Sequence, residues 1–201
     1  ADDRQGLTIC DATSAAFAMD IPWSKIDVAT WSWQKAMGGE AAHGMLLLSP
    51  RAVERIAAYD PPWPMPKVFR IKKGGKLNEE IFEGSTINTP SLLCVEDALD
   101  GLRWGDEVGG LGGLIGRAER NAAVLSRWSE RSDWIANICA DLAARSTTSV
   151  GFIVTDAWFK GLAEDAQRAA IKKMCGMLDK EGVAHDLAAH RDAPPGLRIW
   201  C

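Results

Sequence analysis

No stretch of this chain approaches the ~20 consecutive apolar residues that a membrane-spanning helix needs, and no basic-then-apolar leader opens it. Paired cysteines are missing as well. The five present, Cys10, Cys94, Cys139, Cys175 and Cys201, are odd in number, scattered and never in CxxC spacing, which argues against a disulfide framework and a structural zinc site. A reducing cytoplasm suits them. There is no basic excess: the net charge is −4 and the isoelectric point about 5.4, so neither nucleic acid nor an anionic membrane is an expected partner. Internal repeats and low-complexity tracts are absent too. What is present is 201 residues of which 47% are hydrophobic, ample for a packed core with small-molecule or protein partners.

Short apolar runs bounded by turn residues, Leu7-Thr8-Ile9-Cys10-Asp11, Ile26 to Trp31 and Gly44 to Ser49, read as strands covered on both faces and imply a largely parallel, helix-covered sheet. Ser49-Pro50 opens a helix through Tyr59, with serine as N-cap and proline at the first helical position. After the proline-rich crossing at 61–66, the basic, glycine-interrupted stretch from Lys67 to Asn88 reads as an ordered surface loop or partner-facing arm. Thr89-Pro90 is a second helix start leading into Ser91 to Trp104, and Leu111 to Trp134 has the 3.6-residue pattern of a long helix. A strand at Ser149 to Thr155, a helix at Ala163 to Glu181 and a strand near Leu197 complete a small α/β lobe. The first strand begins almost at once, the last residues stop inside a strand-like run, and no methionine opens the chain, so the expectation is a piece of a longer protein.

Two residues at the ends of separate strand-like runs carry chemistry together. Asp11 closes the first run and Lys35 follows the second in Thr30-Trp31-Ser32-Trp33-Gln34-Lys35. A lysine amine that condenses with an aldehyde, and a carboxylate that keeps a pyridine nitrogen protonated, are the two requirements of pyridoxal 5′-phosphate chemistry. Desolvation near a sheet's carboxyl edge lowers a lysine's pKa, as an imine-forming, proton-shuttling amine requires.

With Asp11, Gln34-Lys35, Ile87-Asn88-Thr89-Pro90 and His190-Arg191 in view, the chain resembles the phosphoserine aminotransferases, class V members of the fold-type I pyridoxal phosphate enzymes, nearly end to end. The resemblance implies a three-layer α/β/α architecture with a mostly parallel sheet. Residues 1–104 would form part of the large domain, 105–134 an interdomain helix and 135–201 a small, incomplete C-terminal α/β domain. It implies that Lys35 bonds the cofactor, Asp11 pairs with its pyridinium nitrogen and Gln34 touches its phosphate. Asn88 and Thr89 would reach the neighbouring subunit's cofactor phosphate in a homodimer. Arg198 would hold the substrate α-carboxylate, with His190 and Arg191 holding its phosphate or side-chain carboxylate, a task for which the planar guanidinium fork is suited. The implied reaction converts 3-phosphohydroxypyruvate and L-glutamate into O-phospho-L-serine and 2-oxoglutarate in serine biosynthesis, with a phosphorylated intermediate of pyridoxine synthesis as a further possible substrate. Two departures stand out: the spacer from Asp192 to Leu197 is one residue longer than in some members, and Trp33 replaces a commoner small residue. Alternatives are another class V enzyme, such as an alanine:glyoxylate type or a cysteine desulfurase, and a non-catalytic binding subunit. No cysteine sits in an evident mobile loop for the desulfurase reading.

Blander readings hold elsewhere. The glycine run from Gly109 to Gly116 fails GxGxxG because Ile115 stands at the last glycine position, so a flexible helix start is expected. Glu40 and His43, or His185 and His190, lack a third ligand at a recognisable spacing, so no metal is expected. His43, close after Lys35, could line the active site instead. The nine tryptophans read as packing. Lys67, Arg70, Lys72, Lys73 and Lys76 read as a solvated basic face that could draw in phosphorylated substrate.

Overall fold

The computed structural model describes residues 4–201. The chain forms two compact units, one ending at Gly110 and the other Leu111–Cys201. In the first, strands β1 (Ile9–Asp11), β2 (Val28–Ser32) and β3 (Gly44–Leu48) form one sheet in the order β1-β2-β3. β1 runs parallel to β2, with Asp11 opposite Thr30, whereas β2 and β3 are antiparallel, with Ser32 opposite Gly44. A mostly parallel sheet was expected; here the second pairing is antiparallel because a loop of residues 33–43, with no crossover helix, turns the chain straight back. Covering on both faces also differs from expectation within this chain, since Ile9 and Leu47 are exposed.

A buried carboxylate ties this sheet to its surroundings. Asp27 accepts from the Thr8 N–H at 2.8 Å, from Arg4 Nη2 at 2.8 Å and from the Ser49 hydroxyl at 3.2 Å. The Arg4 bond is the first cause, and the Thr8 N–H the second, of a carboxyl pKa lowered to about 2. Helix α1 (Pro50–Ala58) starts where Ser49 accepts from the Ala52 N–H, with proline at the first position, as the sequence implied.

Residues 67–88 are more structured than a loop. β4 (Lys72–Lys73) and β5 (Lys76–Leu77) form a two-stranded hairpin around Gly74 and Gly75, at φ +59° and +80°. Two successive positive φ values are what a tight hairpin of the primed type needs, and glycine supplies them without strain. Two residues of the basic face are ion-paired here: Lys72 pairs with Asp60 at 2.9 Å and bonds the carbonyls of Ala57 and Tyr59, and Lys73 pairs with Glu80 at 3.0 Å. Helix α2 (Leu92–Glu107) is capped by Ser91, accepting from the Cys94 N–H, so Thr89-Pro90 precedes the helix and does not open it. Among the described residues, no helix is long and apolar enough to cross a membrane.

Helix α3, Gly110–Glu130, is entered through Gly109 and Gly110 at φ +106° and +64°, and the second unit takes it up from Leu111. The helix stops short of the expected Trp134, and the residues beyond it form β6 (Ile135–Asn137). β6 pairs antiparallel with β7 (Ser149–Val154), which pairs antiparallel with β8 (Gly196–Trp200). The short helix α4 (Ala157–Lys160) and then α5 (Glu164–Lys180) lie between β7 and β8 in sequence. Ile135, Val150, Phe152, Phe159, Ile171 and Leu197 form the core, with Trp128 and Leu125 of α3 against it. Gly196 is irreplaceable in packing terms, since a Cβ there would lie 2.0 Å from the Phe152 carbonyl oxygen.

Candidate cofactor site

Asp11 is the last residue of β1 and is exposed at its carboxyl end. The next residue stays on the sheet, Ala12 N–H donating to Thr30 O at 2.8 Å, and the chain then turns as Thr13 N–H donates to Asp11 Oδ1 at 2.9 Å. Hydrogen bonds from Thr13, the side chain first and the backbone second, hold the Asp11 carboxyl below its ordinary pKa against slight desolvation. It is therefore an anion at neutral pH. In the loop that follows, Phe17 has φ +67°, an outlier for a bulky residue that no sequence signal announced.

Lys35 follows the carboxyl end of β2, the strand beside Asp11, and is half-buried. Its turn is built locally. Gly38 N–H donates to Lys35 O and Gly39 N–H to Trp33 O, both at 3.0 Å, with Gly38 at φ +66°. Gly39 allows close passage, because a Cβ there would lie 3.3 Å from Trp33 Cβ. At the mouth of the loop, just beyond the last β2–β3 pair, the rings of Trp33 and His43 stand 5.3 Å apart at 57°. Gly101 of α2 comes close to the same loop, with a would-be Cβ 3.2 Å from Met37 O. Three buried polar atoms of this region lack a hydrogen-bond partner: Trp31 Nε1, Gln34 Oε1 and His43 Nε2.

Asp11, Gln34 and Lys35 thus belong to adjacent parallel strand ends in one unit. Asn88 and Thr89 lie in the exposed segment before α2, where Thr86 Oγ1 donates to Asn88 O at 2.7 Å. In the second unit, Arg198 on β8 lies with its guanidinium carbon 4.6 Å from the Trp200 ring centroid and its Nη2 3.5 Å from Asp186 Oδ2, Asp186 itself being at φ +50°. Arg198 Nε is buried without a partner. His190 and Arg191 are exposed on a loop held from below by Arg168, which donates to the Arg191 and Ala193 carbonyls at 3.1 and 3.2 Å. Asp192 sits 3.5 Å from His190 and 3.4 Å from Arg191, offsetting part of the arginine's positive charge.

No family model matches the chain. A curated phosphoserine aminotransferase from Methanosarcina mazei is 54% identical over 200 residues, covering 100% of this chain and 51% of the relative. Over its whole length the chain is similar to phosphoserine aminotransferase. It spans about half the length of these curated relatives. The solved phosphoserine aminotransferase of Trichomonas vaginalis, bound to pyridoxal phosphate, superposes with a TM-score of 0.73 at 19% identity, over 99% of this chain and 50% of that one. An alanine–glyoxylate aminotransferase from Nostoc sp. gives a TM-score of 0.68 at 15% identity, over 96% of this chain and 48% of that one. The fold is therefore that of the fold-type I aminotransferases, shared by phosphoserine aminotransferases and by enzymes named for other substrates.

Proposed function

We propose that the protein to which this chain belongs is a pyridoxal phosphate-dependent phosphoserine aminotransferase, converting 3-phosphohydroxypyruvate and L-glutamate into O-phospho-L-serine and 2-oxoglutarate. The observation that carries this reading is the placement of Asp11 and the Lys35 loop after the carboxyl ends of two adjacent parallel strands. Ligands of α/β sheets collect at that edge. Identity of 54% along the whole chain to a phosphoserine aminotransferase supports the substrate class.

The residues fit the cofactor. Asp11 is a charged carboxylate in an exposed position, as a partner for a protonated ring nitrogen must be. Gln34, beside Lys35, has a buried amide oxygen with no protein partner. Lys35, Asp11 and Gln34 would hold the group in one subunit, with Asn88 and Thr89 contributing to the partner's phosphate in a homodimer. Pyridoxal phosphate supplies an aldehyde for the amino group and a ring that withdraws electrons from the substrate's α-carbon.

Around that ring the chain's own groups divide the work. Lys35 Nζ would hold the group covalently and, once freed by the incoming amino acid, would carry the proton from the substrate's α-carbon to the cofactor's C4′ carbon, acting as general base and then as general acid within one half-reaction, with the second half-reaction running the same transfer in reverse. Asp11 would pair with the ring nitrogen and favour its protonated form. Arg198, already oriented by Trp200 and Asp186, binds the α-carboxylate. His190 and Arg191 take the second anion, phosphate or the side-chain carboxylate of glutamate. A role in serine biosynthesis, and a cytoplasmic location, follow from this substrate pair and the unpaired thiols; action on the phosphorylated intermediate of pyridoxine synthesis belongs to the same anion pocket.

The test is reductive trapping. Full-length protein treated with pyridoxal phosphate and borohydride should carry one pyridoxyl mass addition, at Lys35, and Lys35→Ala should carry none. Turnover of O-phosphoserine with 2-oxoglutarate should exceed that of alanine with glyoxylate. An addition scattered over surface lysines, or a preference for alanine, would sink the reading at the cofactor or at the substrate respectively.

A further inference from the structure

The Lys35 loop holds two buried polar atoms that nothing in the fold satisfies, and both are tied to Trp33. Gln34 Oε1 is on the residue after Trp33, and His43 Nε2 is on the ring packed 5.3 Å from Trp33. The two do not bond each other. Leaving a buried donor or acceptor unmade costs about 1–3 kcal/mol, and native structures keep such groups rare. An orphaned pair at the mouth of one loop is therefore a pair awaiting a ligand. The tilted ring contact with Trp33 explains why an aromatic residue stands at position 43 but not why it carries nitrogens, because a phenyl ring would pack there equally well.

We propose that His43 is a cofactor-binding residue whose Nε2–H donates to the phosphate of pyridoxal phosphate beside Gln34, resting on the aminotransferase reading above. An imidazole can present either nitrogen as donor, and the terminal amide of Gln34 can turn its NH₂ toward the same group. Both then meet an anion that offers only acceptors. Trp33, whose bulk departs from the small residue common there, acquires a function: it holds the His43 ring at the height of the loop. The 33–43 loop thereby supplies the covalent lysine and two phosphate contacts from one turn.

The chemistry named is a phosphate monoester, and both the cofactor and a phosphorylated substrate carry one. The experiment measures dissociation constants of pyridoxal phosphate, of pyridoxal, which lacks the phosphate, and of O-phosphoserine by tryptophan quenching in the full-length protein, its H43F and H43Q variants, and the apo-protein melting temperature of each. H43F keeps the ring and loses the donor, so it should weaken pyridoxal phosphate roughly tenfold or more and leave pyridoxal unchanged. H43Q keeps an amide donor near the Nε2 position and should stay within about threefold of wild type. Equal losses for both ligands, or no loss for either, overturn the assignment in favour of a packing role. A loss confined to O-phosphoserine overturns it in favour of the substrate's phosphate. Should H43F fail to fold, H43Q against H43A reads the same ratio. Absence of any Lys35 adduct in the wild type removes the aminotransferase reading and this one with it, whereas a normal adduct with an unaltered H43F ratio removes only the role of His43.

Discussion

Asp11 and Lys35 differ in how far each depends on its surroundings. In the proposed reaction Lys35 would act through a covalent bond, so its loss would be total. Asp11 acts through charge, which Thr13 maintains by stabilising the carboxylate with two hydrogen bonds. Asp11→Ala should therefore lower turnover by roughly 10²–10³-fold while changing cofactor affinity much less, because the missing interaction strengthens only as charge develops on the ring. Rapid-mixing measurement of the single half-reaction with glutamate, alongside cofactor titration, separates the two quantities; near-normal turnover in the variant would refute the ion-pairing role. At this scale the sequence was informative because the chemistry demands particular residue types. Asp11, Gln34 and Lys35 were singled out as a set, and they lie at or just beyond the carboxyl ends of two adjacent parallel strands. The unsatisfied Nε2 of His43 was not legible, since hydrogen-bond satisfaction depends on neighbours that only folding supplies.

Among elements, the sheet of the first unit is held at its entry by Asp27, which joins the residues before β1, β2 and the N-cap of α1 through Thr8, Arg4 and Ser49. Its carboxyl pKa is about 2 in the folded protein against 3.8 unperturbed, a depressed value. The stabilisation is therefore complete above pH ~4, where the unfolded chain is also ionised, and is lost as pH falls toward 2. Asp27→Asn should lower stability at pH 7 and flatten the acid limb between these pH values; urea midpoints across pH 2–7 for both proteins check it, and parallel acid limbs would show that Asp27 contributes no such linkage. The helices α1 and α5 and the strands β2, β3 and β7 were readable because periodicity and caps are local. The β4–β5 hairpin was readable in principle from Gly74-Gly75 but was obscured by the basic residues around it. β6 is three residues long, and its pairing with β7, not its own pattern, makes it a strand.

For the whole molecule, the proposed homodimer makes a claim about which subunit serves which cofactor. Asn88 and Thr89 are exposed in the segment before α2, so their side chains are available to another subunit. If each pair completes the partner's site, a Lys35→Ala subunit still lends intact Asn88 and Thr89 to its neighbour, and an Asn88→Ala/Thr89→Ala subunit still carries a working Lys35. Each variant alone should be close to inactive. A heterodimer of the two restores one complete site of its two, and random reassortment of equal amounts makes half the dimers heterodimers, so mixing after mild denaturation should recover about a quarter of wild-type activity. Were Asn88 and Thr89 to serve the cofactor of their own subunit, no heterodimer would contain a complete site and mixing would recover nothing. Size measurement of the mixture distinguishes that result from a failure to reassociate, since unrecovered activity in a dimeric sample assigns the two residues to their own subunit.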